Sequence, residues 1–450
     1  MDEQGKSPIP SFSDRRGFRF GLYCTIAAFG TYFCMYAFRK PFAAGTYDGL
    51  SFGGINFKIL LIISQVAGYT LSKFIGIKVI SEMSKSNRIF MLLVLIGIAE
   101  FALVGLGVVP YPYNFICMFL NGLPLGMIWG IVFSYLEGRQ STEALAAGLS
   151  ASFIVSSGVV KAVGKYTMSS WGVAEFWMPA VTGSLFVLPL LVFVALLSKI
   201  PRPDHDDIRA RTERIPMTRS DRWSMLRNYW FGLALLIIAH MLLTGLRDFR
   251  DKFSVEILAT MGMDDAQHLA TSELPVMLLT LIPLGCIMLI RNHRTAYAIT
   301  MAVLIVGFLI AGLSTLAWEH QFIGGFTWFI CVGIGLYLAY VPYHSMLFES
   351  FVAVFREKGN AGYLIYVADA TGYLSSVSVL LFKNFSAGAL SPLQFFVKLT
   401  YVSAILGIGA VSMAIVYFLL RRVSVIPPHR ASSNTRLALD SQAEYMKVSS

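Results

Sequence analysis

Residues 199–228 read KIPRPDHDDIRARTERIPMTRSDRWSMLRN, and this stretch decides how the chain is organised. It is the longest polar interval between apolar runs, and it is rich in charge and interrupted by proline. Six apolar runs of roughly 20 residues precede it and six follow it, each long enough to cross a hydrocarbon core of about 30 Å. Because backbone groups in lipid must bond within their own segment, we predict that every run is a helix.

The overall composition supports a membrane protein rather than a soluble one. The chain has 450 residues, of which 56% are apolar and 14% charged, whereas soluble domains carry about 25% charged residues. No interval between the runs is long enough for a separate soluble domain of about 100 residues. The net charge of +10 falls in short loops, so we expect a lipid bilayer and no nucleic acid as the partner.

The span boundaries divide the chain into two similar halves. We place the spans at 18–38, 57–80, 89–109, 113–136, 144–165, 176–198, 229–250, 273–291, 296–318, 325–348, 361–383 and 393–420. This predicts an N-terminal six-helix bundle at 1–198, a linker loop at 199–228, a C-terminal six-helix bundle at 229–422 and a tail at 423–450. Twelve transmembrane helices in two six-helix halves are the layout of the major facilitator fold, which places its substrate site near the midplane between the halves.

The distribution of basic residues sets the predicted orientation. With the N-terminus inside, about two thirds of the 36 Lys and Arg residues fall in cytoplasmic segments, as the positive-inside rule requires. We therefore expect an integral multi-pass protein of the cell (inner) membrane, with both termini cytoplasmic. Because the N-terminus is polar for nearly 20 residues, we interpret the first apolar run as a retained span and not as a signal peptide.

Catalytic and metal-binding motifs are missing from the sequence. The five cysteines all lie inside apolar runs, and the seven histidines show no metal-ligand spacing. The chain also has no phosphate loop, zinc-protease motif or nucleophile elbow. We therefore expect no enzyme activity, no cofactor and no metal.

Ionisable residues inside the spans are the candidates for function, because each costs about 2.5–3.5 kcal/mol to insert. They occur with other polar residues at helical spacing, so that one polar stripe runs along each of five spans. The stripes consist of Tyr32, Tyr36 and Arg39; Gln65, Tyr69 and Lys73; Ser157, Lys161 and Lys165; His240, Thr244 and Arg247; and Tyr366, Asp369, Tyr373 and Ser376. Stripes on several helices predict a shared, wet, cationic cavity.

Two arginines occupy matching positions in the two halves. Arg39 follows Phe20 by 19 residues, and Arg247 follows Tyr229 by 18 residues. We predict that the two guanidinium groups face each other across the cavity. Each guanidinium directs two donors toward an oxyanion and stays charged, which suits phosphate or a dicarboxylate better than a sugar.

Each of these residues also has a structural interpretation. Arg39 could be an interfacial anchor, and Lys73 could extend its ammonium group to the cytoplasmic surface. Arg247 begins the sequence Arg-Asp-Phe-Arg-Asp-Lys at 247–252, which could be a self-neutralising surface cluster. Asp369 could form a structural pair with Lys161 or an arginine. His240 and His344 are expected to pack between helices rather than carry protons.

Several short motifs, in order along both halves, resemble the organophosphate:phosphate antiporters, the family of the glycerol-3-phosphate and hexose-6-phosphate transporters. The resemblance covers roughly residues 20 to 420. The motifs are Tyr36-Ala37-Phe38-Arg39-Lys40-Pro41-Phe42, Tyr69-Thr70-Leu71-Ser72-Lys73-Phe74, Phe119-Leu120-Asn121-Gly122, Leu246-Arg247, Tyr340-Val341-Pro342 and Gly372-Tyr373-Leu374.

This resemblance implies roles for particular residues. It implies that Arg39 and Arg247 hold the phosphate group of the substrate. It further implies that Lys73 and four tyrosines line the path, namely Tyr36, Tyr69, Tyr340 and Tyr373. The sequence departs from the family at three places, one of which is the loop after the second helix, where the usual Asp-Arg is missing. The histidine of the fifth helix has no counterpart, with Lys161 following a turn later, and Asp369 is an additional acid.

The sequence therefore predicts a secondary active transporter for a small organic anion, most simply a phosphate ester. Transport would follow alternating access, coupled either to phosphate exchange or to protons, with Asp369 and Lys161 as a possible coupling or charge pair. We expect the transporter to be a monomer. The alternative is a transporter-like membrane sensor for the same ligand class; a membrane enzyme and a lipid-anion flippase are weaker alternatives.

The predicted orientation can be tested by cysteine labelling in intact cells. Ser11→Cys and Ser449→Cys variants should not react with an impermeant maleimide added outside, because the basic segments keep both termini cytoplasmic. They should react after the cells are permeabilised. Labelling of either position from outside would refute the predicted topology.

Overall fold

Apolar side chains cover the outside of the helices as well as the contacts between them. The computed structural model describes residues 15–82, 87–136, 142–201, 219–288, 290, 292–355 and 361–420. The predicted tail at 423–450 and most of the predicted linker lie outside the described residues. Among the large apolar side chains on the outer surface, Phe101 is 80% exposed and Leu419 is 75% exposed. Such a surface suits lipid and not water.

The first half of the chain contains six long helices. Their bounds are α1 (Arg15–Met35), α2 (Phe57–Glu82), α3 (Arg88–Val108), α4 (Phe115–Phe133), α5 (Thr142–Trp171) and α6 (Met178–Ser198). Between α1 and α2 the chain forms 3₁₀ turns at Tyr36–Phe38 and Pro41–Ala44, then an antiparallel hairpin of β1 (Ser51–Phe52) and β2 (Ile55–Asn56). These bounds agree with the first six predicted spans to within several residues.

The second half repeats this pattern with more interruptions. Its helices are α7 (Arg219–Lys252), α8 (Ser254–Thr260), α9 (Ala266–Thr271), α10 (Glu273–Met288), α11 (His293–Glu319), α12 (Gly325–Ser345), α13 (Leu347–Phe355), α14 (Ala361–Phe385) and α15 (Pro392–Leu420). Helix α7 begins inside the predicted linker, and the eighth predicted span is preceded by the short helix α9. We call the end of the bundle where α1 begins and α15 ends the terminal side, and the opposite end the hairpin side.

Ten helical segments of the described residues are long and apolar enough to cross a membrane. The two other predicted spans, 57–80 and 144–165, are present as helices α2 and α5. Both helices carry lysines that face the second half rather than lipid. The chain is therefore an all-α polytopic membrane protein, as predicted.

Glycines allow α2 and α4 to approach closely. A Cβ atom added at Gly122 would overlap the backbone carbonyl of Gln65, and one added at Gly68 would overlap that of Phe119. Gly126 lies one turn further along α4 against the carbonyl of Tyr69. The hydrophobic effect cannot join helices in lipid, so helices associate by close packing. Small residues at the contact allow the two backbones to pack directly against each other. Gly122 and Gly126 therefore lie on the face of α4 that contacts α2.

A partly buried carboxylate, that of Glu175, fixes the chain at the hairpin side of the first half. Oε1 of Glu175 accepts hydrogen bonds from the backbone N–H groups of Thr46 (2.6 Å) and Tyr47 (3.0 Å). Burial, with a smaller contribution from the Glu175 charge, raises the pKa of Tyr47 well above its ordinary value. The Tyr47 hydroxyl therefore stays protonated and donates to the carbonyl of Phe42.

The α2–α4 contact should be sensitive to added volume. We expect Gly122→Val to lower the free energy of unfolding by about 2–3 kcal/mol or more, because the backbones must separate to admit the side chain. Gly97→Ala is the control, since a Cβ at this glycine of α3 meets open space, and it should be neutral or slightly stabilising. Chemical unfolding in detergent measures both; equal stability of the two variants would contradict the close contact.

Candidate functional site

Arg39 lies at a break in the first span. Helix α1 ends at Met35, and the two 3₁₀ turns replace the last α-helical turns because Pro41 has no N–H to continue the helix. The exposed backbone is bonded by side chains: Gln65 Nε2 donates to the Arg39 carbonyl at 2.9 Å, and Asn121 Nδ2 donates to the Phe38 carbonyl at 2.9 Å. Irregular backbone at this depth is tolerated because it is enclosed by protein and satisfied in this way.

The guanidinium of Arg39 has no acidic partner among the described residues. It lies over the ring of Tyr69, 4.0 Å from the ring centroid, and 5.9 Å from that of Tyr36. Its Nε atom is buried and makes no hydrogen bond. Stacking on tyrosine contributes about 0.5–2 kcal/mol, which is much less than a buried charge loses when it leaves water. This arginine is therefore not a simple interfacial anchor.

Arg247 resembles Arg39 in its stacking but differs in having a partner. Its guanidinium lies 4.3 Å from the centroid of the Tyr340 ring. Its Nε and Nη2 both donate to Oδ1 of Asp248, at 3.1 and 2.7 Å. Asp248 Oδ2 in turn accepts from Ser376 (2.7 Å) and Lys252 (3.2 Å). The sequence 247–252 therefore does contain internal ion pairs, but it is buried and not a surface cluster.

Four predicted tyrosines meet between the two halves. The rings of Tyr69 on α2 and Tyr373 on α14 are 5.7 Å apart, and Lys73 Nζ lies 4.8 Å from the centroid of the Tyr373 ring. Tyr36, Tyr69 and Tyr340 are buried. The structure thus brings together the residues to which the resemblance assigned a role: Arg39, Arg247, Lys73, Tyr36, Tyr69, Tyr340 and Tyr373.

Asp369 pairs with Lys73, and not with Lys161 or an arginine. Lys73 Nζ donates to Asp369 Oδ2 at 2.7 Å, and His344 Nε2 lies 2.8 Å from Asp369 Oδ1. Each of the three side chains is about one quarter exposed. Lys73 therefore bonds within the protein instead of extending to the surface, and His344 contacts this carboxylate as well as packing between helices. No sequence motif indicated this histidine, because a lone histidine in an apolar span has no distinctive spacing.

Lys161 lies in a different cluster, nearer the hairpin side. Its Nζ contacts Asp251 Oδ1 at 3.0 Å, the Asp251 carbonyl at 2.6 Å and Ser254 Oγ at 2.9 Å. Lys40 and Ser157 also donate to the Asp251 carboxylate. The predicted coupling pair of Asp369 and Lys161 is therefore not formed, because Asp369 bonds Lys73 and Lys161 bonds Asp251.

The Asp251 cluster belongs to a set of contacts that closes the hairpin side. Lysines of the first half pair with acids of the second half throughout this set: Lys40 and Lys161 with Asp251, Lys58 with Glu256, and Lys165 with Asp264. At Gly158, α5 also touches the backbone carbonyl of Leu269. Asn56 and Asn384 add a hydrogen bond between the halves at 2.9 Å. These contacts hold the two halves together at the hairpin side.

The buried region between the halves that holds Arg39, Arg247, Lys73 and the Asp251 cluster carries more positive than negative charge. Its described cations are Arg39, Lys40, Lys73, Lys161, Arg247 and Lys252, and its described acids are Asp248, Asp251 and Asp369. Half of this positive charge is therefore not balanced by carboxylates of the cavity. Such an arrangement can hold and orient an anion.

A family model described as a family of unknown function, DUF5690, matches residues 41–421. No curated protein matches the sequence.

The fold matches several solved structures over nearly their whole length. One is a D-xylose-proton symporter, with a TM-score of 0.59 and 13% identity over 88% of this chain and 97% of that chain. Another is a bacterial homologue of the human drug peptide transporters PepT1 and PepT2, with a TM-score of 0.60 and 13% identity over 90% and 99% of the two chains. A third is a nucleoside transporter, with a TM-score of 0.57 and 14% identity over 89% and 100%. At these identities the likeness shows the fold, and the chain has the predicted major facilitator fold.

The Asp251 cluster should carry much of the stability of the closed hairpin side. We expect Asp251→Asn to lower the free energy of unfolding by about 3 kcal/mol, because Lys40 and Lys161 lose their charge partner in a buried site. The control is Asp264→Asn, whose carboxylate is 76% exposed and which should cost less than about 1 kcal/mol. Unfolding of both variants by denaturant gives the comparison; similar losses would show that Asp251 has no special role.

Proposed function

The chain belongs to the DUF5690 family, whose function is unknown, and we propose that it is a secondary transporter carrying a small organic anion across a membrane by alternating access. The two halves, 1–198 and 229–422, would rock about the site between them, and both termini would be cytoplasmic. The solved structures that share this fold include a D-xylose-proton symporter, a bacterial homologue of peptide transporters and a nucleoside transporter. Their low identity leaves the substrate of this chain to be argued from its own residues.

The observation that carries this proposal is the guanidinium of Arg39, which has no acidic partner in the part of the chain that the structure describes. A cation held away from bulk water needs a counter-charge, and the acids of the cavity are already engaged by other cations. An anionic substrate supplies the missing charge at the moment it binds. The excess of cations around it favours an anion over a neutral sugar or a cation.

A phosphate ester is the substrate class that this arrangement favours within the anions. Arg39 and Arg247 are both stacked on tyrosine rings, which fixes the plane of each guanidinium. A fixed fork of two donors matches the tetrahedral oxygens of a phosphoryl group, and Lys73 can add a point charge. Release of the phosphate from Arg39 would leave the charge unbalanced again, so entry of a second phosphate in exchange would restore the balance; coupling to protons is the alternative scheme.

Ligand-dependent stability of the purified protein tests the substrate class. A ligand that binds only the folded state at about 100 times its Kd stabilises it by about 2.7 kcal/mol. Glycerol-3-phosphate or inorganic phosphate should therefore raise the unfolding temperature, with succinate as the dicarboxylate comparison and xylose as the neutral one. Stabilisation by xylose, with none by the anions, would refute the anion proposal.

Arginine-to-lysine variants test the two proposed ligands. Arg39→Lys and Arg247→Lys keep the charge but lose the planar fork, so we expect each to weaken phosphate-ester binding roughly 10- to 100-fold, the equivalent of a charge-assisted hydrogen bond. The control is Arg294→Lys, an exposed arginine near the start of α11, which should bind normally. Unchanged affinity in both site variants would mean that neither arginine is a two-pronged ligand.

A further inference from the structure

The carboxylate of Asp369 connects the two halves of the protein. Oδ2 accepts from Lys73 on α2 in the first half, and Oδ1 contacts His344 on α12 in the second half. Among the described residues, the other ion pairs between the halves all lie at the hairpin side. The Lys73–Asp369 pair lies further from the hairpin side. Each of its residues is 16 positions from the hairpin-side end of its helix, or about 24 Å along the axis.

The chemistry of the contact assigns the proton on His344. A carboxylate is only an acceptor, so Nε2 of His344 must carry the hydrogen that bonds to Asp369 Oδ1. Nδ1 of the same ring then has a lone pair, and it is buried with no hydrogen-bond partner. The ring of His240 lies 5.3 Å away, and its Nδ1 also has no partner. The second half thus contains two adjacent imidazoles with unused basic atoms next to a carboxylate.

Water can reach this group from a small pocket between α2 and α14. The pocket is lined by Thr70, Lys73, Tyr366, Asp369, Ala370 and Tyr373. The charged and titratable groups that face Asp369 come from four helices: Tyr69 and Lys73 on α2, His240 and Arg247 on α7, Tyr340 and His344 on α12, and Tyr366 and Tyr373 on α14. Asp369 is the one carboxylic acid among these described groups, so its protonation removes the negative charge that holds Lys73.

A divalent metal is the other ligand that this group of residues suggests. His240, His344 and Asp369 offer ligand atoms within 4.8 Å of one another. However, the ammonium of Lys73 is bonded to the same carboxylate, and the cavity already carries excess positive charge. A divalent cation would be repelled by these groups, whereas a proton neutralises the one acid and leaves the lysine free.

We propose that His344 and Asp369 form a proton-binding site whose occupancy opens the Lys73–Asp369 ion pair, so that anion transport is coupled to proton symport. This inference rests on the proposed anion transport. A proton from water binds Nδ1 of His344, and the Nε2 proton passes to Oδ1 of Asp369. One proton is gained, His344 is neutral again in its other tautomer, and the carboxyl group no longer holds Lys73 by charge.

Proton binding then prepares the anion site. The freed Lys73 ammonium lies beside Tyr69 and Tyr373, next to the ring on which Arg39 is stacked. It becomes available to the anion together with the two arginines. Loss of the anion would return Lys73 to Asp369 and expel the proton, so each ligand favours the state that binds the other. Proton and anion would therefore move in the same direction.

Infrared difference spectroscopy tests the proton site without a substrate. Lowering the pH of the wild-type protein in liposomes should produce the carbonyl band of a protonated carboxylic acid, and Asp369→Asn should lose that band. The control is Glu100→Gln, since Glu100 lies on α3, bonds Ser184 at 2.9 Å and has no described cation partner; it should keep the Asp369 band. A band that is unchanged in Asp369→Asn would overturn the proposal.

Transport in liposomes tests the coupling. With radiolabelled glycerol-3-phosphate and inorganic phosphate as probes, the wild type and Glu100→Gln should accumulate anion when the pH is lower outside, with uptake of protons into a pH-sensitive dye inside. Asp369→Asn should lose at least nine tenths of this accumulation while counterflow of preloaded anion continues. Accumulation that persists in Asp369→Asn, or binding and counterflow lost together with it, would overturn the coupling role.

Two further outcomes separate this inference from the proposed function. Wild-type counterflow without any proton movement would overturn the symport proposal but leave anion transport intact. Failure of the wild type to bind or move either anion would overturn anion transport, while the infrared band would still decide whether Asp369 binds a proton. Stabilisation by Zn²⁺ that is lost in both His240→Gln and Asp369→Asn would show that the cluster is a metal site and overturn the proton site.

Discussion

An arginine charge that no acid of the described residues neutralises is the constraint on which the rest of this structure depends. Arg39 is placed between the halves by a break in the first span, and the amide side chains of Gln65 and Asn121 bond the backbone that the break exposes. Tyrosine rings cover the guanidinium without balancing it. A membrane protein tolerates this cost where function requires it, and the cationic cavity follows from it.

The ion pairs between the halves have a consistent polarity. At the hairpin side, lysines come from the first half and acids from the second, and the deeper Lys73–Asp369 pair has the same sense. The halves therefore attract each other along the depth of the interface, and attraction is strongest where water is excluded. Rearrangement of the halves must replace these pairs by water, by a proton or by a bound anion. The substrate site and the contacts that close it are thus parts of one electrostatic system.

Much of this could be predicted from the sequence, for identifiable reasons. Apolar run length indicated the spans, and the stripes on the first, second, seventh and eleventh spans indicated Arg39, Lys73, Arg247 and Asp369, because charge in lipid is rare enough to be informative. Partners could not be predicted, since they depend on how each helix is rotated and on which helix of the other half it faces. Lys161 was therefore assigned to the wrong acid.

The close packing of α2 against α4 has a mechanical consequence. Backbone contact through Gly68 and Gly122 holds α2 rigidly against α4. Lys58 lies near one end of α2 and Lys73 lies 15 residues further along, a separation of about 22 Å. Both lysines form ion pairs with acids of the opposite half in this structure. A rigid helix that is bonded to the other half at two points cannot tilt while both ion pairs are intact. The two ion pairs must therefore break one after the other. The order in which they break would determine the order in which the site opens to the two sides of the membrane.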